Sequence, residues 1–109
     1  MSTRKEQQIR KSRRVELRCV MGFASGEIEG DATVTNISTS GCRAESDINM
    51  AEELDVQLAI YLPDQTPPVK VERASVRWVS GRAFGLSFIL FFPSERARLR
   101  TFVEKIKQK

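Results

Sequence analysis

Alternation of apolar and polar residues predicts three short β-strands in the first half of the chain. From Val15 to Phe23 every second residue is apolar, which is the pattern of a strand with one buried face. A second strand is predicted over Glu27–Asn36, after a turn at residues 24–26. Ile37 falls out of phase with that strand, as expected where the chain bends into a turn. Cys42 and Ala44 resume an inward face as a short third strand.

The second half of the chain predicts three further strands. Residues 54–62 alternate cleanly, and the proline-containing loop 63–68 ends that strand because proline cannot donate to a ladder. In residues 69–78 the apolar phase slips near Glu72-Arg73, which predicts a β-bulge in a long strand. The phase after the slip places Trp78 in the core. Residues 84–92 form the last strand, and its two apolar faces predict that a second layer covers it.

An amphipathic helix at about 94–107 is predicted to supply that cover. Ser94 is a candidate N-cap, with Glu95 in the first turn where a negative charge favours the helix dipole. The apolar positions recur at helical spacing and are Leu99, Phe102, Val103 and Ile106. The fold class is therefore mainly β: a six-stranded antiparallel barrel with a C-terminal α-helix.

Composition bounds the functional classes. A chain of 109 residues with 40% hydrophobic residues fits one domain with a modest core. Catalysis has little support, since the chain lacks histidine and any nucleophile motif, and Cys19 lies on an inward strand face. Cys19 and Cys42 lack metal-ligand spacing; reduced core thiols are the favoured interpretation, and a single disulfide stays open. Without an apolar leader or membrane-length apolar run, we expect a cytoplasmic protein with no metal, cofactor or membrane insertion.

Charge divides the chain into an arm and a body. Residues 1–14 hold six basic groups and one acidic group, a net charge of +5, whereas residues 15–109 hold 12 basic and 13 acidic groups, a net charge of −1. We therefore predict a flexible basic arm at 1–14, suited to an anion, on a nearly neutral domain at 15–109.

Two short motifs carry the candidate chemistry. Arg10-Lys11-Ser12-Arg13-Arg14 places two arginines four residues apart, and each guanidinium can bind phosphate bidentately or stack on a base. Asn36-Ile37-Ser38-Thr39-Ser40-Gly41 follows the second strand, where an amide can pair with a purine edge and a hydroxyl with phosphate or backbone. Gly41 permits either a positive φ or a close approach. Taken alone, this second motif also fits an ordinary turn.

The ordered set of motifs resembles the PilZ family. Members carry R-x-x-x-R before the first strand and (D/N)-x-S-x-x-G between the second and third strands, and this chain has both in those places. Trp78 and the run Gly85-Leu86-Ser87-Phe88 are also similar to features near the family's last strand. The resemblance covers roughly residues 9–107 and implies a split six-stranded barrel with a cyclic diguanylate site on its outer surface.

The resemblance also implies residue roles and a mode of action. Arg10 and Arg14 would contact phosphate and guanine, Asn36 and Ser38 would hydrogen-bond the ligand, and Gly41 would keep the turn open. Further contacts are expected from the two basic residues between the arginines, Lys11 and Arg13. Asn36 is often aspartate in the family, so its lack of charge bears on affinity.

The function that follows is a non-enzymatic, bacterial receptor that signals to an unidentified effector protein, in motility or biofilm regulation. We expect a monomer whose arm is ordered by the ligand. The alternatives are a PilZ-like adaptor that binds no nucleotide and a small nucleic-acid-binding barrel.

Overall fold

The computed structural model describes residues 14–26 and 28–107, with the side chain of Lys107 excepted. The arm at 1–13, with Arg10, Lys11 and Arg13, lies outside the described residues, so its predicted role and the division at residue 14 stay predictions. The elements in chain order are β1 (Val15–Ala24), β2 (Glu29–Ile37), β3 (Gly41–Glu45), β4 (Asp55–Ile60), β5 (Val69–Ser80), β6 (Ala83–Leu90) and α1 (Pro93–Lys107).

The six strands form a closed antiparallel barrel in the order β1-β2-β3-β6-β5-β4. The predicted fold class is therefore confirmed. The barrel interior takes the apolar face of each strand, including Met21, Val34 and Phe84, each at most 1% exposed. Each fully buried side chain of this size contributes about 1.5–3 kcal/mol of transfer free energy.

Register shifts occur where the sequence changes phase. Between Val71 and Ala74 the pairing of β5 slips against β4, which confirms the bulge predicted near Glu72-Arg73. A comparable slip in β2 lies between Val34 and Asn36, in its pairing with β3. It explains why Ile37 is fully buried although it is out of phase with Val34.

The C-terminal helix begins one residue earlier than predicted. The Phe92 carbonyl oxygen accepts hydrogen bonds from the backbone amides of Glu95 (3.0 Å) and Arg96 (3.1 Å), so Phe92 caps the helix. Pro93 stands at the first helical position, where its missing N–H costs nothing. Ser94 is therefore inside the first turn, and the prediction that it is the N-cap was wrong. The predicted apolar positions are correct, since Leu99, Phe102 and Val103 are buried.

The helix does not cover the last strand as predicted. It lies against β5 and β1, and β6 ends at Leu90 rather than at Phe92. Ile89, Leu90 and Phe92 are left 39%, 55% and 60% exposed. The two strands that the helix contacts, β5 and β1, are the neighbours of β4 in the closed barrel.

Within residues 14–26 and 28–107, no helix is long and apolar enough to cross a membrane. The same residues contain no group of three or more histidine, cysteine, aspartate or glutamate side chains suited to a metal ion.

Candidate functional site

The turn between β2 and β3 is organised by the hydroxyl group of Ser38. This side chain is fully buried, and its Oγ accepts hydrogen bonds from the backbone amides of Ser40 (3.1 Å) and Gly41 (3.2 Å). It also lies 3.3 Å from the Gly41 carbonyl oxygen and 3.2 Å from Ser40 Oγ. A serine hydroxyl that satisfies two backbone amides in this way fixes the turn. In this structure Ser38 therefore has an internal role, and its predicted ligand contact is untested.

Gly41 is required here because another backbone runs against it. A Cβ atom at position 41 would overlap the carbonyl oxygen of Leu86 on the neighbouring strand β6. Its φ angle is not positive, so of the two reasons predicted for this glycine, close approach is the correct one. The Phe88 amide donates to the Ser40 carbonyl oxygen at 2.9 Å, which ties the same turn to β6.

Asn36 lies on the outer surface because of the slip in β2. The bulged segment turns both Thr35 and Asn36 away from the interior, while Val34 and Ile37 on either side are buried. The Asn36 amide oxygen accepts a hydrogen bond of 3.2 Å from the Arg14 guanidinium. The structure thus brings together one residue from each of the two sequence motifs, although they are 22 positions apart.

Five residues form one continuous line across the outer face of the barrel. Glu16 pairs with Asn36, Asn36 with Arg43, Arg43 with Gly85, and Gly85 with Trp78. We call this set the cross-strand row. Because neighbouring strands lie about 4.8 Å apart, adjacent members of the row are close enough to contact one ligand together.

Trp78 covers Gly85 at one end of the cross-strand row. The indole is 40% exposed, and a Cβ atom at position 85 would overlap its ring atoms. A register slip between Val76 and Trp78 shifts the side chain to the outer face. The prediction that Trp78 belongs to the core was therefore wrong.

Arg43 is held in place at the centre of the row. Its Nη1 atom donates to Thr35 Oγ1 and to Glu45 Oε2, both at 2.9 Å. The ion pair with Glu45 is partly exposed, so it contributes at most about 1 kcal/mol to stability. The bonds to Thr35 and Glu45 also hold the Arg43 guanidinium on the outer surface beside Asn36.

A shallow concavity of about 620 Å³ lies over the end of the cross-strand row that contains Glu16 and Asn36. Its lining contains two arginines and a mixture of hydrogen-bonding groups, from Glu16, Leu17, Arg18, Thr35, Asn36 and Arg43. Arg14 borders it through the bond to Asn36. Cations beside neutral and acidic acceptors suit a ligand that carries both phosphates and base edges.

A second concavity, of about 510 Å³, is lined by residues of β1, β2, β4 and β5. Its charged lining includes Glu29, Asp31 and Glu72 but only one cation, Lys70. Three carboxylates against one ammonium disfavour an anionic ligand. The concavity at the cross-strand row is therefore the better candidate for phosphate binding.

Both cysteines are free and poorly suited to nucleophilic chemistry. Burial raises the pKa of the Cys42 thiol to about 12, although the positive charge of Arg14 acts in the opposite direction. Burial likewise raises the pKa of Cys19 to about 11. Near neutral pH both groups are thiols rather than thiolates. The favoured interpretation as reduced core thiols agrees with this structure, which holds no Cys19–Cys42 bridge.

Sequence reasoning missed several residues of this site, Glu16 among them. Arg18 lies within β1, outside both sequence motifs, yet it lines the concavity. Arg43 follows inward-facing Cys42, so strand alternation could have marked it as outward. Trp78 was assigned to the wrong face. The register slip between Val76 and Trp78 reverses its orientation, and the apolar alternation of the sequence does not reveal that slip.

Comparisons with known proteins agree with this fold. A sequence model of the PilZ domain matches residues 8–105. The inhibitor of motility MotI/DgrA of Bacillus subtilis superposes with a TM-score of 0.76 at 17% identity, covering 90% of this chain and 51% of that one. This chain thus spans about half the length of the Bacillus protein.

Two further structures are similar. The PilZ domain of CeSA from a cellulose-synthesizing bacterium gives a TM-score of 0.66 at 11% identity, covering 88% of this chain and 99% of that one. An uncharacterized Legionella protein gives 0.56 at 12% identity, with coverages of 88% and 95%. No curated protein sequence matches significantly.

Proposed function

We propose that this chain, which belongs to the PilZ domain family, is a non-enzymatic receptor for cyclic diguanylate. The observation that carries the proposal is the contact between the two motifs, in which Arg14 donates to the Asn36 amide oxygen beside a concavity lined by Arg18 and Arg43. Groups whose chemistry suits phosphates and base edges lie on one surface in this arrangement.

Cyclic diguanylate presents two phosphates and two guanine bases, and the concavity has a suitable partner for each. Guanidinium groups bind phosphate bidentately, and they can also donate to the O6 and N7 atoms of guanine. The guanine N1–H and N2–H groups need acceptors, which the Asn36 amide oxygen and the neighbouring Glu16 carboxylate can supply. We propose Glu16 as the negative charge that aspartate would otherwise provide at position 36.

The two other predicted turn residues are proposed to act through shape. Ser38 and Gly41 hold the turn in a compact form against β6. A preorganised turn lowers the entropic cost of ligand binding. A direct bond from Ser38 to the ligand would require its hydroxyl to leave the Gly41 or Ser40 partner that it now has.

The basic arm is proposed to close over the bound ligand. Arg10, Lys11 and Arg13 precede Arg14 in the chain. If the arm lies along the barrel surface next to Arg14, these residues reach the face that carries the cross-strand row. Ordering of a segment by new arginine–phosphate contacts is a common switching device. The new surface would then be read by an effector protein in the bacterial cytoplasm, with the receptor acting as a monomer.

Motility or biofilm regulation is the proposed setting. It is supported by the names of two similar structures, an inhibitor of motility and a PilZ domain from a cellulose-synthesizing bacterium. The proposal that the chain performs no catalysis is supported by the lack of histidine in the sequence and by the raised pKa values of Cys19 and Cys42.

Calorimetric titration tests the proposal against its two rivals. We expect cyclic diguanylate to bind with a micromolar or tighter Kd, equivalent to about −8 kcal/mol or better, and GTP and linear diguanylate to bind much more weakly. A dinucleotide releases few counterions, so the affinity should fall only mildly with salt. If no heat is detected at a large excess of ligand, the nucleotide-free adaptor is correct. Tighter binding of a random oligonucleotide, with a steep salt dependence, would establish the nucleic-acid-binding barrel.

A further inference from the structure

The end of β6 exposes an apolar surface that the fold leaves uncovered. Ile89, Leu90 and Phe92, which we call the β6 apolar patch, are 39%, 55% and 60% exposed. Phe84 and Leu86, earlier in the same strand, are in contrast almost fully buried. Three large apolar side chains exposed within four residues are more typical of an interaction site than scattered surface residues are.

Pairing among residues 14–26 and 28–107 leaves one edge of β6 open at this patch. β3 begins at Gly41, which pairs with Ser87, so β6 continues for three residues beyond the start of its neighbour. The Ser40 carbonyl oxygen accepts from the Phe88 amide at 2.9 Å. Beyond that bond, β6 is paired with β5, where Leu90 lies opposite Arg73. An open strand edge offers backbone donors and acceptors to an incoming strand.

Three arginines surround the patch. Arg73 is the register partner of Leu90. Arg77 Nε donates to Ser87 Oγ at 3.1 Å, two positions before Ile89. The Arg96 guanidinium lies 5.0 Å from the centre of the Phe91 ring. No carboxylate in the described residues forms an ion pair with any of the three. The surface is therefore apolar at its centre and positive at its rim.

We propose that the β6 apolar patch binds an extended segment of a partner protein that carries apolar and acidic residues two positions apart, because Leu90 and its register partner Arg73 share one face. Such a strand would pair with the open edge of β6, place its apolar side chains against Leu90 and Phe92, and bring carboxylates to the arginines. A second copy of this chain is disfavoured, because a two-fold contact would bring the same positive rim to both sides. A lipid surface has no strand to pair with the edge.

The patch is joined to the proposed ligand site through the Ser38–Gly41 turn. Ser40 bonds to Phe88, one residue before the patch, and Ser38 fixes the same turn beside Asn36. A ligand that shifts the turn would therefore alter the edge that the partner uses. This coupling rests on the proposed function, whereas binding at the patch does not.

The test uses the full chain and a panel of synthetic peptides in which glutamate and leucine or phenylalanine share every second position in different orders, with threonine between them. Matched peptides carry lysine in place of glutamate. We expect the acidic peptides to shift the backbone amide signals of residues 88–92 and to bind at least about tenfold more tightly than the lysine peptides. Leu90→Ser, Phe92→Ser and Arg73→Glu should each weaken binding about tenfold or more. Tyr61→Ser, which alters a 52% exposed side chain elsewhere, should not.

Each other outcome overturns the proposal. Equal binding of acidic and basic peptides, or no shift at residues 88–92 with any peptide, excludes an acidic strand at this site. A Leu90-dependent dimer in sedimentation would assign the patch to a second copy. Loss of binding to phosphatidylglycerol vesicles in Leu90→Ser, with no peptide binding, would assign it to a membrane. Parallel titration with cyclic diguanylate separates failure of the patch from failure of the proposed receptor function.

Discussion

The indole of Trp78 lies over Gly85, so close that any side chain at position 85 would overlap the ring. The contact joins β5 to β6 on the outer face and places Trp78 in one line with Arg43 and Asn36. Trp78 is the only tryptophan of the chain, so its fluorescence reports directly on this end of the cross-strand row.

Trp78 emission should change when cyclic diguanylate binds. If one guanine binds at Asn36 and Glu16, the second guanine would come near the 40% exposed indole by extending along the row beyond Arg43. We expect quenching with a midpoint equal to the calorimetric Kd. Trp78→Phe should abolish the signal while keeping an aromatic ring for stacking. Heat of binding without any change in emission would mean that the ligand does not reach the β5 end of the row.

Arg14→Ala should separate binding from folding. The arginine precedes β1, and its bond to Asn36 is exposed, so its removal should change the free energy of unfolding by no more than about 0.5 kcal/mol. Loss of a charge-assisted phosphate contact should cost about 1.5–3 kcal/mol of binding. Titration and thermal melting measure the two effects.

Arg100→Ala is the matched control for Arg14→Ala, because it removes the same charge from an exposed helical position. It should retain wild-type affinity. Equal loss of affinity in both variants would show that only net charge matters, and unfolding of Arg14→Ala would show that this arginine is structural.

Gly41→Ala should weaken stability and ligand binding together. The new methyl group would press on the Leu86 backbone, which cannot move aside as a flexible side chain would. We expect a loss of about 1–3 kcal/mol in the free energy of unfolding, as for other overpacked sites. Urea unfolding measures it, with Gly26→Ala as control, since nothing lies within 4 Å of a Cβ there. Wild-type stability in Gly41→Ala would contradict the close approach.

Stability should fall as pH rises above about 9. Burial raises the pKa of Cys19 to about 11 and that of Cys42 to about 12, from an ordinary value of 9.0. The folded state therefore binds these protons more tightly than the unfolded state does. The contribution is complete below pH 9.0 and is lost as pH rises towards the folded pKa values. Urea midpoints between about pH 8 and pH 11 measure the slope.

Cys42→Ala is the control for this pH dependence. It should flatten the slope of stability against pH, because it removes the group with the larger shift. An unchanged slope would assign the effect to ionisable groups other than Cys42. In the wild-type protein, alkylation of the Cys19 and Cys42 thiols at about pH 8 should be slow in the folded state and fast in urea. The reason is that the folded protein holds little thiolate at this pH.

Local pattern alone determined much of this protein. Period-two alternation is enough to locate strands such as β1 and β4, because each strand must turn one face to the core whatever its neighbours are. The apolar spacing of Leu99, Phe102 and Val103 likewise required a helix with one buried face. The two motifs were readable for the same reason, since guanidinium, amide and hydroxyl groups have fixed chemistry.

Tertiary structure decided what lies beside what. Only the slips in β2 and β5 turn Asn36 and Trp78 to the outer face. The slip near Glu72-Arg73 was visible as a change of phase in the sequence, whereas the slip between Val76 and Trp78 arises in the pairing with β6 and leaves no such change. The need for glycine at position 41 comes from the Leu86 carbonyl oxygen, 45 positions away. The helix packs on β5 and β1, and so it leaves Leu90 and Phe92 exposed. Each of these features is set by contacts between distant segments, which no local period encodes.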